Sequence, residues 1–121
     1  MVAYFLDTYA MMEIVKGNHQ YQRYLSERLA TSLMNLYELY YLILKSHDEK
    51  TAKEVFSRFQ DTAVEVRHEH IFLAAQFRLD HQKLGFSYVD ALGYAISLAN
   101  GMRFLTGDRA FREMEHVEFV A

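Results

Sequence analysis

The stretch Val2-Ala3-Tyr4-Phe5-Leu6 is apolar or aromatic throughout and stops at Asp7-Thr8. A short continuous apolar run of this kind reads as a strand buried on both faces, the signature of a parallel sheet. Parallel strands need crossover helices, so the rest of the chain is constrained to alternate strand with helix. In open sheets of this type ligands gather just beyond the carboxyl ends of the strands. Asp7 and Thr8 occupy that place.

The order of elements along the chain follows from this anchor. Tyr9 to Lys16 carries Met11, Met12, Ile14 and Val15 and ends at Gly17-Asn18, a short helix with a glycine stop. His19 to Arg28 reads as a polar helix, and Leu29 to Leu33 as a second strand. Asn35 to Ser46 is apolar enough for a largely buried helix that begins near Ser32 or Asn35. A helix capped by Asp48 or Ser46 follows, with Ala52, Val55, Phe56 and Phe59 at helical spacing. Thr62 to Val66 is a third strand. His68 to Leu84 is a helix expected to turn Ile71, Phe72, Ala75 and Leu79 inward before Gly85. Ser87 starts another helix, with Val89, Leu92, Ile96 and Ala99 as its apolar stripe, closed by Asn100-Gly101. Met102 to Thr106 is a fourth strand, Gly107-Asp108 leads into a short helix, and Val117 to Val120 is a fifth strand. The fold class expected is α/β, a three-layer α/β/α sandwich around a five-stranded parallel sheet, as one domain over residues 1–121.

Composition narrows the chemistry. The chain has no cysteine, which removes disulfide scaffolds, cysteine nucleophiles and cysteine-ligated zinc. A formal charge of −3 argues against a broad basic coat for nucleic acid, although local patches can still hold phosphates. No charged start precedes an apolar signal core and no run approaches the length of a membrane helix, so a cytoplasmic protein with no membrane partner is expected.

Four acids stand out. Asp7 follows the first strand, where a helix N-cap is an equally good reading. Glu38 is the only charged residue between Asn35 and Leu44, among Leu36, Tyr37, Leu39, Tyr40, Tyr41, Leu42 and Ile43. Taking a lone carboxylate from water costs several kcal/mol, so Glu38 needs a cation or a cleft, unless it sits at a rim with its carboxylate turned outward. Asp90 lies in Ser87-Tyr88-Val89-Asp90, the spacing of a capping box, yet Gly93, Tyr94 and Ser97 share its face and the small residues leave room beside it. Asp108 follows the fourth strand and can again be a cap. If the four converge, their mutual repulsion, about 4 kcal/mol for a pair roughly 4 Å apart at an effective dielectric near 20, calls for divalent cations or protonation. A donor set of oxygens alone points to Mg²⁺ or Mn²⁺ rather than zinc. His68 and His70 are neighbours on a helix that do not face each other and have no further ligands nearby in pattern.

Asp7-Thr8, Glu38 in Asn35-Leu36-Tyr37-Glu38-Leu39, Asp90 in Tyr88-Val89-Asp90-Ala91-Leu92, and Leu105-Thr106-Gly107-Asp108-Arg109-Ala110-Phe111 together resemble the acidic motifs of the PIN domain, most closely the prokaryotic toxin ribonucleases of VapC type. The likeness runs through the whole chain in order and spacing. It implies a divalent-metal-dependent endoribonuclease acting on single-stranded or looped RNA. Asp7, Glu38, Asp90 and Asp108 would then be catalytic and metal-binding, with Mg²⁺ or Mn²⁺ as cofactor. Thr8 and Thr106 would orient the carboxylates or waters, and Arg109, Arg112 and Tyr94 would contact substrate. It further implies a homodimer and a small antitoxin protein whose tail enters the acidic groove. One departure is Gly93-Tyr94-Ala95, where many relatives carry Ile-Ala-Ala, so substrate preference does not carry over. A PIN-fold nuclease of RNA processing and a non-catalytic module whose acids bind a basic partner are the competing readings. A haloacid-dehalogenase phosphatase is disfavoured because its second aspartate would stand at Tyr9.

Overall fold

The computed structural model describes residues 2–121. Strands β1 (Ala3–Leu6), β2 (Arg28–Ser32), β3 (Ala63–Val64), β4 (Arg103–Thr106) and β5 (Val117–Phe119) form one sheet in the order β3-β2-β1-β4-β5. Every pairing is parallel. Helices α1 (Thr8–Val15), α2 (His19–Gln22), α3 (Leu33–Ser46), α4 (Glu49–Phe59), α5 (His68–Asp80) and α6 (Tyr88–Ala99) make the crossovers. The anchor strand β1 is central, and Leu6 lies beside Leu105 at the last paired position of β1 and β4. The three-layer arrangement follows from alternation along those two strands. Leu6 and Leu105 join Met11, Ile14, Leu36, Leu39 and Phe59 in one core. Phe5 and Phe104 point the other way, into a second core with Tyr94, Ile96 and Phe111. Side chains of period two on a doubly covered sheet require two such cores.

With no proline in the chain, side-chain caps set where the helices begin. Asp7 starts α1, Ser32 starts α3, Asp48 starts α4 and Ser87 starts α6, each accepting from a backbone N–H of the first turn. Helix α5 begins differently, with the Arg67 N–H donating to His70 Nδ1 at 2.9 Å. His70 is buried and committed to that cap, while His68 is exposed.

Three expectations need correction. The helix expected over His19 to Arg28 ends at Gln22 and passes through a tight turn at Arg23–Ser26, because Arg28 must already be extended to pair with Ala3. Helix α5 presents the opposite face: Ile71, Phe72 and Leu79 are 51%, 71% and 60% exposed, Ala75 is exposed too, and His70 and Ala74 point inward. In α6 the buried face is Ala91 and Gly93 through Ser97, while Ala99 is exposed. No described helix is long and apolar enough to cross a membrane.

Candidate active site

Beyond the carboxyl ends of β1 and β4 lies an open cleft of about 700 Å³. Asp7, Glu38, Asp90 and Asp108 all line it, although they come from four separate segments of the chain. Asp7 follows β1, Asp108 follows β4, Glu38 lies in the second turn of α3, and Asp90 in the first turn of α6.

Each aspartate is held by the end of its own element. Asp7 Oδ1 accepts from the Ala10 amide at 2.7 Å. Asp90 Oδ2 accepts from the Ser87 amide at 3.0 Å while Ser87 Oγ accepts from the Asp90 amide, a complete capping box. Asp108 Oδ1 accepts from the Ala110 amide at 3.0 Å. A carboxylate has about four lone-pair sites, so capping with one oxygen leaves Asp90 and Asp108 a second oxygen for other work. Capping and ligation, rivals in the sequence, are compatible in the fold.

Thr106 ties two of the acids together. Its hydroxyl donates to Asp7 Oδ2 and accepts from the Asp108 amide at 3.0 Å. On the other side Thr8 Oγ1 accepts from Asn35 Nδ2 at 3.2 Å, and Asn35 Oδ1 accepts from the Ser32 hydroxyl at 2.6 Å. Thr8, Ser32, Asn35 and Thr106 are all buried. The chain therefore fixes the start of α3, and with it Glu38, against the residue that follows Asp7.

Burial pushes the Asp7 carboxyl up to about 7 from its ordinary 3.8; the hydrogen bonds from Thr106 and Ala10 pull it down, and the charges of Asp90 and Asp108 push it up again. Asp7 is 3% exposed. Among the described residues no three histidine, aspartate or glutamate side chains stand close enough to grip one ion together. The donor set nevertheless suits a hard divalent cation: carboxylate oxygens only, on one cleft, with the most buried member reluctant to ionise beside the others.

The structure separates the remaining candidates. Arg109 lines the cleft. Arg112 is exposed but outside the cleft lining, with its guanidinium 5.7 Å from the Phe119 ring centroid. Tyr94 is corrected as a substrate contact: it is 3% exposed, packs against Phe77, Phe104 and Phe111, and its hydroxyl donates to the Glu115 carbonyl at 2.7 Å. The space beside Gly93 is also taken, since a Cβ there would meet the Phe5 ring at 2.9 Å and Asn35 Oδ1 at 3.4 Å. Sequence reasoning missed Tyr9, Met12, Glu13 and Lys16, which line the cleft from one face of α1. Their spacing of i, i+3, i+4 and i+7 was the available signal.

The model of the PIN domain family matches residues 4–117. The chain belongs to the PIN domain family. Solved structures with the same fold include VapBC2 from Rickettsia felis bound to a DNA fragment from its promoter, with a TM-score of 0.78 and 18% identity over 98% of both chains. The DNA-bound VapBC of Salmonella typhimurium gives a TM-score of 0.75 at 21% identity, covering 99% of this chain and 98% of that one. A sarcin-ricin-loop-cleaving VapC toxin of Mycobacterium tuberculosis gives 0.73 at 19% identity, covering 94% and 98%. None of the curated proteins matches the chain. For this PIN domain the likeness to those structures establishes the fold.

Proposed function

We propose that the chain is a divalent-metal-dependent endoribonuclease and the toxin of a toxin–antitoxin pair. The observation that carries this reading is the convergence of Asp7, Glu38, Asp90 and Asp108 on one open cleft, in a member of the PIN domain family. Asp7, Asp90 and Asp108 would hold Mg²⁺ or Mn²⁺, with Glu38 reaching a second ion directly or through water. Such an ion, when bound, lowers the pKa of a coordinated water and offsets the charge of a phosphodiester.

The residues of the chain divide the remaining work. Burial holds the Asp7 carboxyl up at about 7, and a bound cation would favour its ionised form. Thr106 fixes the orientation of the Asp7 carboxylate and of the Asp108 backbone through its two hydrogen bonds. Thr8, held by Asn35, keeps the first turn of α1 in register with the first turn of α3, one turn before Glu38. Arg109 lies at the cleft and would take a phosphate of the strand. Hydrolysis with in-line attack would leave a 5′-phosphate and a 3′-hydroxyl.

The partners in this reading are an RNA substrate, a second copy of the chain and a small antitoxin protein. VapBC complexes among the structures of the same fold support the antitoxin. The exposed apolar face of α5 supports the homodimer.

The test is cleavage of a structured RNA in Mn²⁺, with EDTA as control, by the wild-type chain and by Asp7→Asn and Asp90→Asn. Turnover should require the ion and fall on the order of 100-fold or more in each variant with the fold intact. Retained turnover in both variants would refute the assignment. An acidic binding module would bind a basic partner without any ion-dependent turnover.

A further inference from the structure

We propose that the face of α1 bearing Tyr9 and Lys16 is a subsite for nucleotides flanking the scissile phosphate, Tyr9 stacking on an unpaired base and Lys16 taking a phosphate further along the strand. The proposal rests on the nuclease reading of the same cleft and adds to it where, and by what chemistry, single-stranded nucleic acid is held.

Helix α1 starts at the acids, because Asp7 is its cap, and runs away from them along the cleft. Tyr9 therefore stands one turn or less from the acidic floor, and Lys16 lies roughly 10 Å further along the axis at 1.5 Å per residue. Tyr9 is 43% exposed and lines the cleft. Its seat is specific. Tyr9 meets Tyr21 at 6.4 Å between ring centroids, and a Cβ on Gly107 would fall 2.3 Å from Tyr9 Cε1. Only a glycine between Thr106 and Asp108 lets the ring lie so close to the backbone that carries one of the acids. A flat, half-exposed aromatic fixed beside a phosphate-processing floor has the geometry of a stacking platform, and every base offers it a π-face.

Charge along the cleft supports the same division. The lining holds the acids Asp7, Glu13, Glu38, Asp90 and Asp108 against the cations Lys16 and Arg109. A polyanion is thus repelled from the floor unless divalent ions are present, and its remaining grip must come from neutral stacking and from cations at the margins. Lys16 pairs with Glu13 at 3.3 Å, but while the Glu13 side chain is 18% exposed that of Lys16 is 63% exposed, so the ammonium is in water and free to turn to a phosphate. The Glu13 carboxylate is also held by Asn18 Nδ2 at 2.9 Å, so it keeps a partner when Lys16 leaves. Other exposed tyrosines are placed differently: Tyr88 lies under the Arg78 guanidinium at 4.0 Å, away from the cleft, and Tyr37 is outside its lining.

The chain contains no tryptophan, so Tyr9→Trp would place a single indole reporter at the platform. In an Asp90→Asn background that slows turnover, with Mg²⁺ present, a short fluorescein-labelled single-stranded RNA is titrated and binding read by anisotropy. In a parallel titration with unlabelled RNA, indole emission should be quenched along the same isotherm. Tyr9→Phe should bind as Tyr9 does. Tyr9→Leu, which keeps the bulk but removes the flat face, should bind roughly 5- to 150-fold more weakly. That penalty should vanish when the base at one position of the RNA is replaced by an abasic sugar. Lys16→Ala should lower the slope of log affinity against log salt by about 0.7. Binding without indole quenching, or a Tyr9→Leu penalty unchanged at every abasic position, overturns the proposal. None of these readings needs cleavage, so a wild-type chain that fails to cut RNA would overturn the nuclease reading separately.

Discussion

Asp7 uses one oxygen on the Ala10 amide and the other on the Thr106 hydroxyl, and it does so almost wholly out of water. Its raised pKa sets the direction of a stability effect. A carboxyl whose folded pKa lies above its unfolded value favours the fold when protonated; that contribution is fully present below about 3.8 and is lost as pH rises to about 7. Asp7→Asn removes the titration while keeping an acceptor for Ala10. In EDTA its melting temperature should therefore gain on the wild type between pH 5 and pH 8 and level off above, as read by calorimetry across that range. Adding Mn²⁺ at pH 8 should reverse the order by stabilising the wild type alone. Thr106→Val leaves the Asp108 amide without its partner and Asp7 without its donor; turnover should fall about 10- to 100-fold, measured as kcat on RNA in Mn²⁺. The sequence left cap and ligand as alternatives at Asp7 and Asp90. It could not do otherwise, because a cap and a ligand share the same residue type and place, and only the neighbouring elements reveal that the cleft exists.

Helix starts were readable because polar caps announce them: Ser87 stands where the sequence placed a start, and Ser32 and Asp48 are each one of the two positions it offered. Faces were harder. Helix α5 carries apolar residues on every side, so Ile71, Phe72, Ala75 and Leu79 form a stripe as plausible as the one through His70, Ala74 and Phe77 that the fold buries. Periodicity cannot choose between two apolar faces; contact with α6 does. Tyr94 misled for a related reason: its position one turn from Asp90 suggested the cleft, while the aromatic cluster around Phe111 claimed it. Gly107 shows how tightly the turn after β4 is packed. A Cβ there would meet Tyr9, the Tyr21 hydroxyl at 2.7 Å and the Val120 carbonyl at 2.7 Å, and that carbonyl belongs to backbone and cannot swing aside. Gly107→Ala should cost about 1–3 kcal/mol in chemical unfolding.

Across the whole molecule, the parallel order β3-β2-β1-β4-β5 brings the ends of β1 and β4 side by side, and this places acids separated by a hundred residues of chain on one cleft. The sequence carried that much, since a buried central strand ending in Asp-Thr and a second ending in Thr-Gly-Asp call for such an edge. It did not carry the outward apolar face of α5, where Ile71, Phe72 and Leu79 remain open to water. In the homodimer reading this face meets a second copy. Phe72→Glu should then shift the chain from dimer to monomer in light scattering at unchanged helicity; an unaltered mass would place the interface elsewhere. The cleft itself is tested most directly by anomalous diffraction from crystals soaked in Mn²⁺. The account predicts a manganese peak inside the cleft that Asp7, Glu38, Asp90 and Asp108 line. Full occupancy elsewhere on the chain, with none in the cleft, would contradict it.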